Sequence, residues 1–267
     1  MSKTTPSGLS TRNIVFIVLG LLVFAGFAWK MTHDYFAARE ADALNPKIAS
    51  EDNGLPRVPV DVKGFRSALF GDDEAKVRAA IEKDFGVKGD QIRTAENETE
   101  KTKILAIRVR DVVPDSGVAE ILYVLGYKSK ALIQVNIIWN TRFARDMTPK
   151  QLGATASVLG HYFAEQGFVP KTVGVNQRLP NGALRVFKGR DKQGHLVTLV
   201  YQQGEVNVKP AATDDKATGD KAATDKKADK TDAKPAAPEK LRIAALRLNY
   251  VADPENPDVF KIDKGKF

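Results

Sequence analysis

Apolar residues recur along the chain in patterns that predict two amphipathic helices. The stretch "DDEAKVRAAIEKDF", residues 72–85, carries apolar residues at helical spacing behind two aspartates, which are typical N-caps, and Gly86 follows it. The stretch "TPKQLGATASVLGHYFAEQG", residues 148–167, begins with a Thr cap and a Pro at the first helical position and ends on a glycine. Each helix would bury one apolar stripe.

Strand patterns follow each predicted helix. After the first come "TKILAIRVRD", "VAEILYVLG" and "ALIQVNIIWN", separated by short turns. After the second come "ALRVFKGRD", "HLVTLVYQQG" and, beyond a long interruption, "LRIAALRLNYV". The repeated order of elements predicts an internal duplication. We therefore expect an α+β fold of two tandem helix-plus-antiparallel-meander units at residues 60–145 and 146–251, each with a helical layer on its sheet.

The interruption between the last two strands is a low-complexity segment at residues 208–240. It is rich in Lys, Asp and Ala and contains no Leu, Ile, Met or aromatic residue. Because this composition buries too little apolar surface to offset the entropy of ordering, we predict a disordered insert in the last hairpin. Two roles stay open for the insert: a solvated spacer, or a tether that a partner orders.

An uncharged apolar run, "NIVFIVLGLLVFAGFAW", lies near the N-terminus between Arg12 and Lys30. A helix of this length covers most of a bilayer core, which predicts a transmembrane signal-anchor, with a cleaved signal peptide as the alternative. The predicted segments are a cytoplasmic tail at 1–12, the anchor at 13–31, a juxtamembrane linker at 32–59 and a C-terminal tail at 252–267. The expected location is the bacterial inner membrane, as a single-pass protein with its C-terminal bulk in the periplasm.

The first predicted helix also carries a family resemblance. Its opening, "FGDDEAKVRAAI" at residues 70–81, resembles the Gly–polar–x–x–x–Val helix that opens small envelope modules related to the outer-membrane assembly lipoprotein SmpA and to beta-lactamase-inhibitor proteins. The resemblance extends to the order of elements. The chain departs from that pattern because it lacks the Gly-x-Pro that closes the helix and has no cysteine to carry a lipid. The resemblance implies a binding-module fold and assigns no site residue.

Charge distribution adds a functional expectation. The formal net charge is +8. Residues 61–126 contain eleven basic and thirteen acidic side chains, whereas residues 127–205 contain eleven basic and four acidic ones. This split favours oriented binding of a charged partner. The basic residues are spread out, without an arginine-rich helix or an aromatic–basic motif, so no nucleic-acid partner is expected.

No pattern in the sequence points to catalysis. The three histidines form none of the usual zinc-binding spacings, and no nucleophile elbow, P-loop or dinucleotide motif is present. We therefore predict no catalytic residue, cofactor or metal. Glu96, Glu98 and Glu100 could hold a cation on one strand face, although the turn glycine of a calcium loop is missing. Together with His195 they carry the alternative of an envelope hydrolase that depends on a metal or on carboxylates.

Basic side chains recur at related places on the strands of the two predicted units. The candidate partner-binding residues are Arg108, Arg110, Arg185, Lys188 and Arg190. An antiparallel sheet covered by helices on one face leaves the other face for such residues. The leading hypothesis is a membrane-anchored, exported interaction module that binds an envelope protein through a sheet face or edge. The alternatives are the hydrolase and a carrier that binds lipid or another ligand between its layers. The sequence carries no signal for the oligomeric state.

Overall fold

The computed structural model describes residues 58–142, 144, 147–208 and 239–262. The helices are α1 (Glu74–Phe85) and α2 (Pro149–Glu165), with short 3-10 turns at Gly89–Gln91 and Pro170–Thr172. The strands are β1 (Gly64–Phe65), β2 (Ala68–Leu69), β3 (Arg93–Asn97), β4 (Thr102–Arg110), β5 (Val118–Leu125), β6 (Leu132–Asn140), β7 (Gly174–Arg178), β8 (Leu184–Arg190), β9 (Leu196–Val208) and β10 (Glu239–Val251). An antiparallel sheet of eight strands, in the order β3-β4-β5-β6-β10-β9-β8-β7, dominates these residues, and β1 and β2 form a separate small hairpin.

Local signals set both ends of α1 and the start of α2, whereas α2 ends at Glu165, before the predicted Gly167. The Asp73 carboxylate accepts a hydrogen bond from the backbone N–H of Lys76 at the start of α1, and Gly86 ends this helix with φ 68°. Glycine adopts this left-handed conformation without a Cβ penalty. Thr148 and Gln151 form a reciprocal capping box at the start of α2. Each helix therefore begins at the residue type that the sequence predicts.

Both helices pack on the same face of the large sheet. The core combines the buried stripe of α1 and that of α2 with one set of alternating strand residues. The register across five neighbouring strands places Leu105, Tyr123, Val135, Tyr250 and Val197 in one row of this core. The hairpin of β1 and β2 lies on the same side, since the ring of Phe65 is 5.6 Å from that of Tyr250. The other face of the sheet carries neither helix.

The predicted fold class, two tandem helix-on-meander units after a transmembrane helix, is wrong. The two meanders are halves of one continuous sheet, because β10 pairs with β6 in antiparallel register from Ala245↔Asn140 to Val251↔Gln134. As the last strand of its meander, each of β6 and β10 would otherwise expose a row of unpaired backbone groups. Pairing the two strands removes both edges. The observed fold is an eight-stranded antiparallel sheet with two helices on one face.

The prediction of a single-pass membrane protein is corrected as well. Within the ranges that the structure describes, no helix is long and apolar enough to cross a membrane. The longer helix, α2, has 17 residues, which gives it a length of about 25 Å against a bilayer core of about 30 Å. The predicted anchor at residues 13–31 lies outside the described residues. The structure thus gives no support to the signal-anchor, or to an inner-membrane location with a periplasmic bulk.

The last two strands form a long, regular hairpin. β9 and β10 pair without a register shift from Leu196↔Val251 to Val208↔Glu239. The predicted insert overlaps the ends of both strands, and residues 209–238 lie outside the described residues. Because Val208 and Glu239 are direct cross-strand partners, the two ends of this connection are already neighbours.

Replacing residues 209–238 with Asn-Gly should therefore keep or raise the thermal midpoint. A two-residue turn of this kind matches a two-stranded hairpin, and shortening the loop lowers its closure entropy. Differential scanning calorimetry of the full chain and of the shortened chain measures the effect. A midpoint lowered by more than about 5 °C, which corresponds to more than a kcal/mol for a domain of this size, would show that the removed residues stabilise the fold.

The segment after β10 runs along the ends of the strands. The N–H of Ala252 donates to the carbonyl oxygen of Ile133, and the N–H of Phe260 donates to that of Glu100. Between these points, the Asp258 carboxylate accepts backbone N–H groups from the turn between β5 and β6. Burial opposes ionisation of Asp258, but these hydrogen bonds outweigh it and lower its pKa. The segment thus holds the start of β6 and two turns at one end of the sheet.

Candidate functional site

The candidate site is the sheet face opposite the two helices, which we call the helix-free face. Side chains alternate between the two faces of a strand, so the register defines which residues share it. One row contains Arg93, Ala106, Leu122, Asn136, Asn249, Thr198 and Lys188. The rows on either side contain Arg108, Glu120, Ile138, Arg247, Val200 and Arg185, and Ile104, Val124, Gln134, Val251, Leu196 and Arg190.

All five predicted partner-binding residues lie on the helix-free face, in two separate groups. Arg108 and Arg110 are on β4. Arg185, Lys188 and Arg190 are on β8. Five interstrand spacings separate these two strands, a distance of about 24 Å. A partner must therefore be broad or extended to contact both groups.

The group near β4 is organised by an acidic side chain that sequence reasoning missed. The Glu120 carboxylate contacts the guanidinium of Arg93 on one side and lies 3.4 Å from Nε of Arg108 on the other. Arg93 is on β3 and Glu120 on β5, so the Arg93 side chain crosses β4. Ala106 and Leu122 lie in the same row as Arg93 and are buried although no helix covers them. The Glu120 side chain is only 14% exposed.

Uncharged polar side chains lie near the centre of the face, where β6 meets β10. Nε2 of Gln134 donates to Oδ1 of Asn136 at 2.6 Å, and Nδ2 of Asn249 donates to Oγ1 of Thr198 at 3.1 Å. Oδ1 of Asn249 is buried and accepts no hydrogen bond from the described residues. The seam between the two meanders therefore offers amide and hydroxyl groups beside the Arg247 side chain.

In the group near β8, one cation, Arg185, is buried, although side chains on a solvent-facing sheet surface are expected to be exposed. Arg185 is 6% exposed, and its Nε donates to Oε1 of Gln177 at 3.0 Å. Arg190 lies 2.5 Å from the Glu255 carboxylate of the C-terminal segment. Arg247 on β10 shares the row of Arg185 and was not predicted as a site residue. The alternation of residues along the strand "LRIAALRLNYV" is the sequence signal that could have identified Arg247 as a residue of this face.

The helix-free face is strongly cationic. Among its strand positions with described side chains, seven are Arg or Lys (Arg93, Arg108, Arg110, Arg185, Lys188, Arg190 and Arg247) and one, Glu120, is acidic. None of these strand positions is aromatic. The face can attract and orient an anionic surface, but its strands offer no ring on which a base could stack.

The residues of the alternative hydrolase lie apart. His195 directly precedes β9, whereas Glu96 lies on β3 and Glu98 and Glu100 lie in the β3–β4 turn. Five interstrand spacings, about 24 Å, separate β9 from β3. Burial raises the pKa of Glu100, which accepts a hydrogen bond from Asn97. Among the described residues, no group of three or more His, Asp or Glu side chains could hold a metal ion. The arrangement does not assemble the proposed carboxylate site.

His195 instead belongs to a hydrogen-bonded turn built around the buried carboxylate of Asp191. Its Nδ1 lies 3.0 Å from Oδ2 of Asp191, and its ring lies 5.3 Å from that of Phe70. The Asp191 carboxylate also accepts the backbone N–H groups of Val62, Gln193 and His195. This cluster ties the start of the described chain to the β8–β9 turn.

No family model, curated protein or solved structure matches this chain. The resemblance of the opening helix to the envelope modules therefore stays a prediction.

Proposed function

We propose that this protein is a non-catalytic interaction module that binds an acidic region of another protein on its helix-free face. The observation that carries this proposal is the ratio of seven cationic side chains to one acidic side chain on a face that neither helix covers. A charged face of this breadth guides association and excludes basic partners. The partner therefore carries excess Asp and Glu.

The composition of the face favours a protein partner over a nucleic acid. Single-stranded nucleic acids are held by aromatic stacking as well as by charge, and the strand positions of this face supply no aromatic side chain. The uncharged amide groups of Gln134 and Asn136 among the cations suit an extended or folded polypeptide. A polypeptide can satisfy amide and charged groups together.

Reversing two cations of the face should weaken binding of an acidic probe about tenfold at low salt. The variant Arg110→Glu/Lys188→Glu changes one residue in each charged group. The probe is a fluorescein-labelled ten-residue peptide of alternating Glu and Ser, measured by fluorescence anisotropy at 20 and 200 mM salt. Because exposed charges are screened by salt, the difference between wild type and variant should shrink at the higher concentration.

The matched control is Lys76→Glu/Lys150→Glu, which changes the net charge equally in the first turns of α1 and α2. Both lysines are exposed, and acidic residues near a helix N-terminus do not destabilise it. This control should bind the peptide nearly as well as the wild type. Equal weakening in both double variants would contradict the proposal, since binding would then follow net charge alone.

Photo-cross-linking tests whether the natural ligand is a protein. Benzoylphenylalanine replaces Val200 on the helix-free face or Val158 on the exposed side of α2. A discrete protein adduct at position 200, absent at position 158 and lost in Arg110→Glu/Lys188→Glu, supports the proposal. An adduct with nucleic acid, or an adduct that is indifferent to the charge reversals, contradicts it.

A further inference from the structure

The β9–β10 hairpin extends beyond the rest of the sheet. β8 pairs with β9 only as far as Tyr201, and β6 pairs with β10 only from Ala245 onward. Residues 203–208 and 239–244 therefore pair only with each other and form a two-stranded ribbon. Its length is about 20 Å. Two-stranded ribbons are marginally stable in water, so a third strand would stabilise this one.

The outer edge of β10 has unpaired backbone groups that point away from β9. Ala244 marks the direction, because its N–H donates to Oγ1 of Thr141 at 2.9 Å and its carbonyl oxygen accepts the N–H of Thr141 at 3.0 Å. In an antiparallel strand every second residue directs its N–H and C=O to the same side. Those of Arg242 and Lys240 therefore continue the line of Ala244. None of the described residues pairs with them.

The two outer edges of the large sheet differ from this edge because both are protected against strand addition. β3 is five residues long and carries Arg93 and Glu96. β7 is interrupted at Asn176, which has φ 52° and no partner in the β8 ladder. Short, charged or kinked edges discourage the addition of strands. Residues 239–244 have no proline, no positive φ and no register shift against β9.

We propose that the outer edge of β10 accepts an extended segment of a partner protein as an added strand. The Arg242 side chain is 84% exposed, and its nearest acidic group, Glu205, is 3.9 Å away on the neighbouring strand. Ile243 is half-buried on the opposite side of the ribbon. The added strand therefore alternates acidic residues, opposite Arg242, with apolar residues, opposite Ile243. The β9 edge is less suitable, because it would place Glu205 beside the acidic residues.

Hydrogen exchange of the full-length, ¹⁵N-labelled protein tests this inference. The probe is an eight-residue peptide in which Glu alternates with Val. At saturating peptide, exchange of the Arg242 amide should slow at least tenfold, because its N–H becomes bonded to the added strand. The same peptide with N-methyl groups on every second residue should give no protection, since it cannot complete the ladder.

Two substitutions at one position separate backbone pairing from charge. Arg242→Pro removes only an outward N–H, which β9 does not use, so the hairpin should persist and peptide binding should be lost. Arg242→Ala keeps the N–H and should bind within about threefold of wild type. Unchanged exchange at Arg242 in the wild type, protection by the N-methylated peptide, or normal binding to Arg242→Pro overturns the inference.

The inference does not depend on the helix-free face, and the two proposals fail separately. In Arg110→Glu/Lys188→Glu the peptide should still protect the Arg242 amide. Loss of that protection would place the peptide on the helix-free face and overturn the proposed strand addition. Retained protection with unaltered binding of the Glu-Ser probe would overturn the face proposal instead.

Discussion

Replacing Phe163 with Ala is expected to lower the free energy of unfolding by about 3–5 kcal/mol. Phe163 is 5% exposed, on the inner side of α2. Its ring stacks 5.4 Å from that of Phe187 and lies 6.5 Å from Phe168 and 6.3 Å from Tyr250. The substitution leaves a cavity between the helix, β8 and β10, which the rigid sheet cannot fill by moving.

Phe85→Ala is the matched comparison and should cost only about 1–2 kcal/mol. Phe85 lies at the end of the α1 stripe, but it is half-buried, with Phe65 at 6.4 Å and the guanidinium of Arg66 above its ring at 4.6 Å. Urea unfolding of both variants measures the difference. Equal losses in the two variants would contradict the expectation that Phe163, the more deeply buried ring, contributes more to stability.

Asp191→Ala should cost about 3 kcal/mol, the second largest effect expected from a single change. The carboxylate is fully buried and accepts hydrogen bonds from three backbone N–H groups. Nδ1 of His195 lies against one of its oxygens as well. Removing the carboxylate leaves the buried N–H of Val62 without an acceptor and breaks the hydrogen bonds that hold the β8–β9 turn. Asp191→Asn should cost less, because one amide oxygen can still accept the N–H groups of Gln193 and His195.

Thermal unfolding and hydrogen exchange at the Val62 amide measure this effect. Both Asp191 variants should speed exchange at Val62, since the oxygen that accepts its N–H is lost in each. The control is Asp61→Ala, in which an exposed carboxylate paired with Lys63 at 3.0 Å is removed at nearly no cost. An Asp191→Ala protein as stable as Asp61→Ala would show that the turn does not depend on its carboxylate.

The sequence predicts the individual elements better than their assembly. Caps at Asp73 and Thr148 and the glycine at position 86 are local signals, and they place both helices. Alternating apolar residues identify the strands because the two faces of a strand differ in burial. This alternation does not show which strand pairs with which in the sheet. The pairing of β6 with β10 joins residues that are about a hundred positions apart, so the predicted separation into two units was wrong.

For the candidate site, too, the sequence predicts local features but not those that depend on strand pairing. Alternation along β4 is enough to place Arg108 and Arg110 on one side, away from Leu105 and Ile107. The burial of Arg185 was not predictable, because it depends on a register irregularity between Arg185 and Phe187 and on a contact with Gln177 from the next strand. The role of Glu120 likewise required knowledge of which strands lie on either side of it.

The central position of β10 has a consequence for biosynthesis. A ribosome releases β6 and β9 well before β10, yet β10 is the strand that lies between them. Until residues 239–251 emerge, the nascent chain holds two partial meanders, each with a hydrophobic strand whose backbone is open to other molecules. The yield of folded protein should therefore depend on how quickly translation passes the low-complexity segment. If the ribosome stalls in that segment, β6 and β9 each keep an unpaired edge that can bind other chains. In the finished sheet β10 covers both edges.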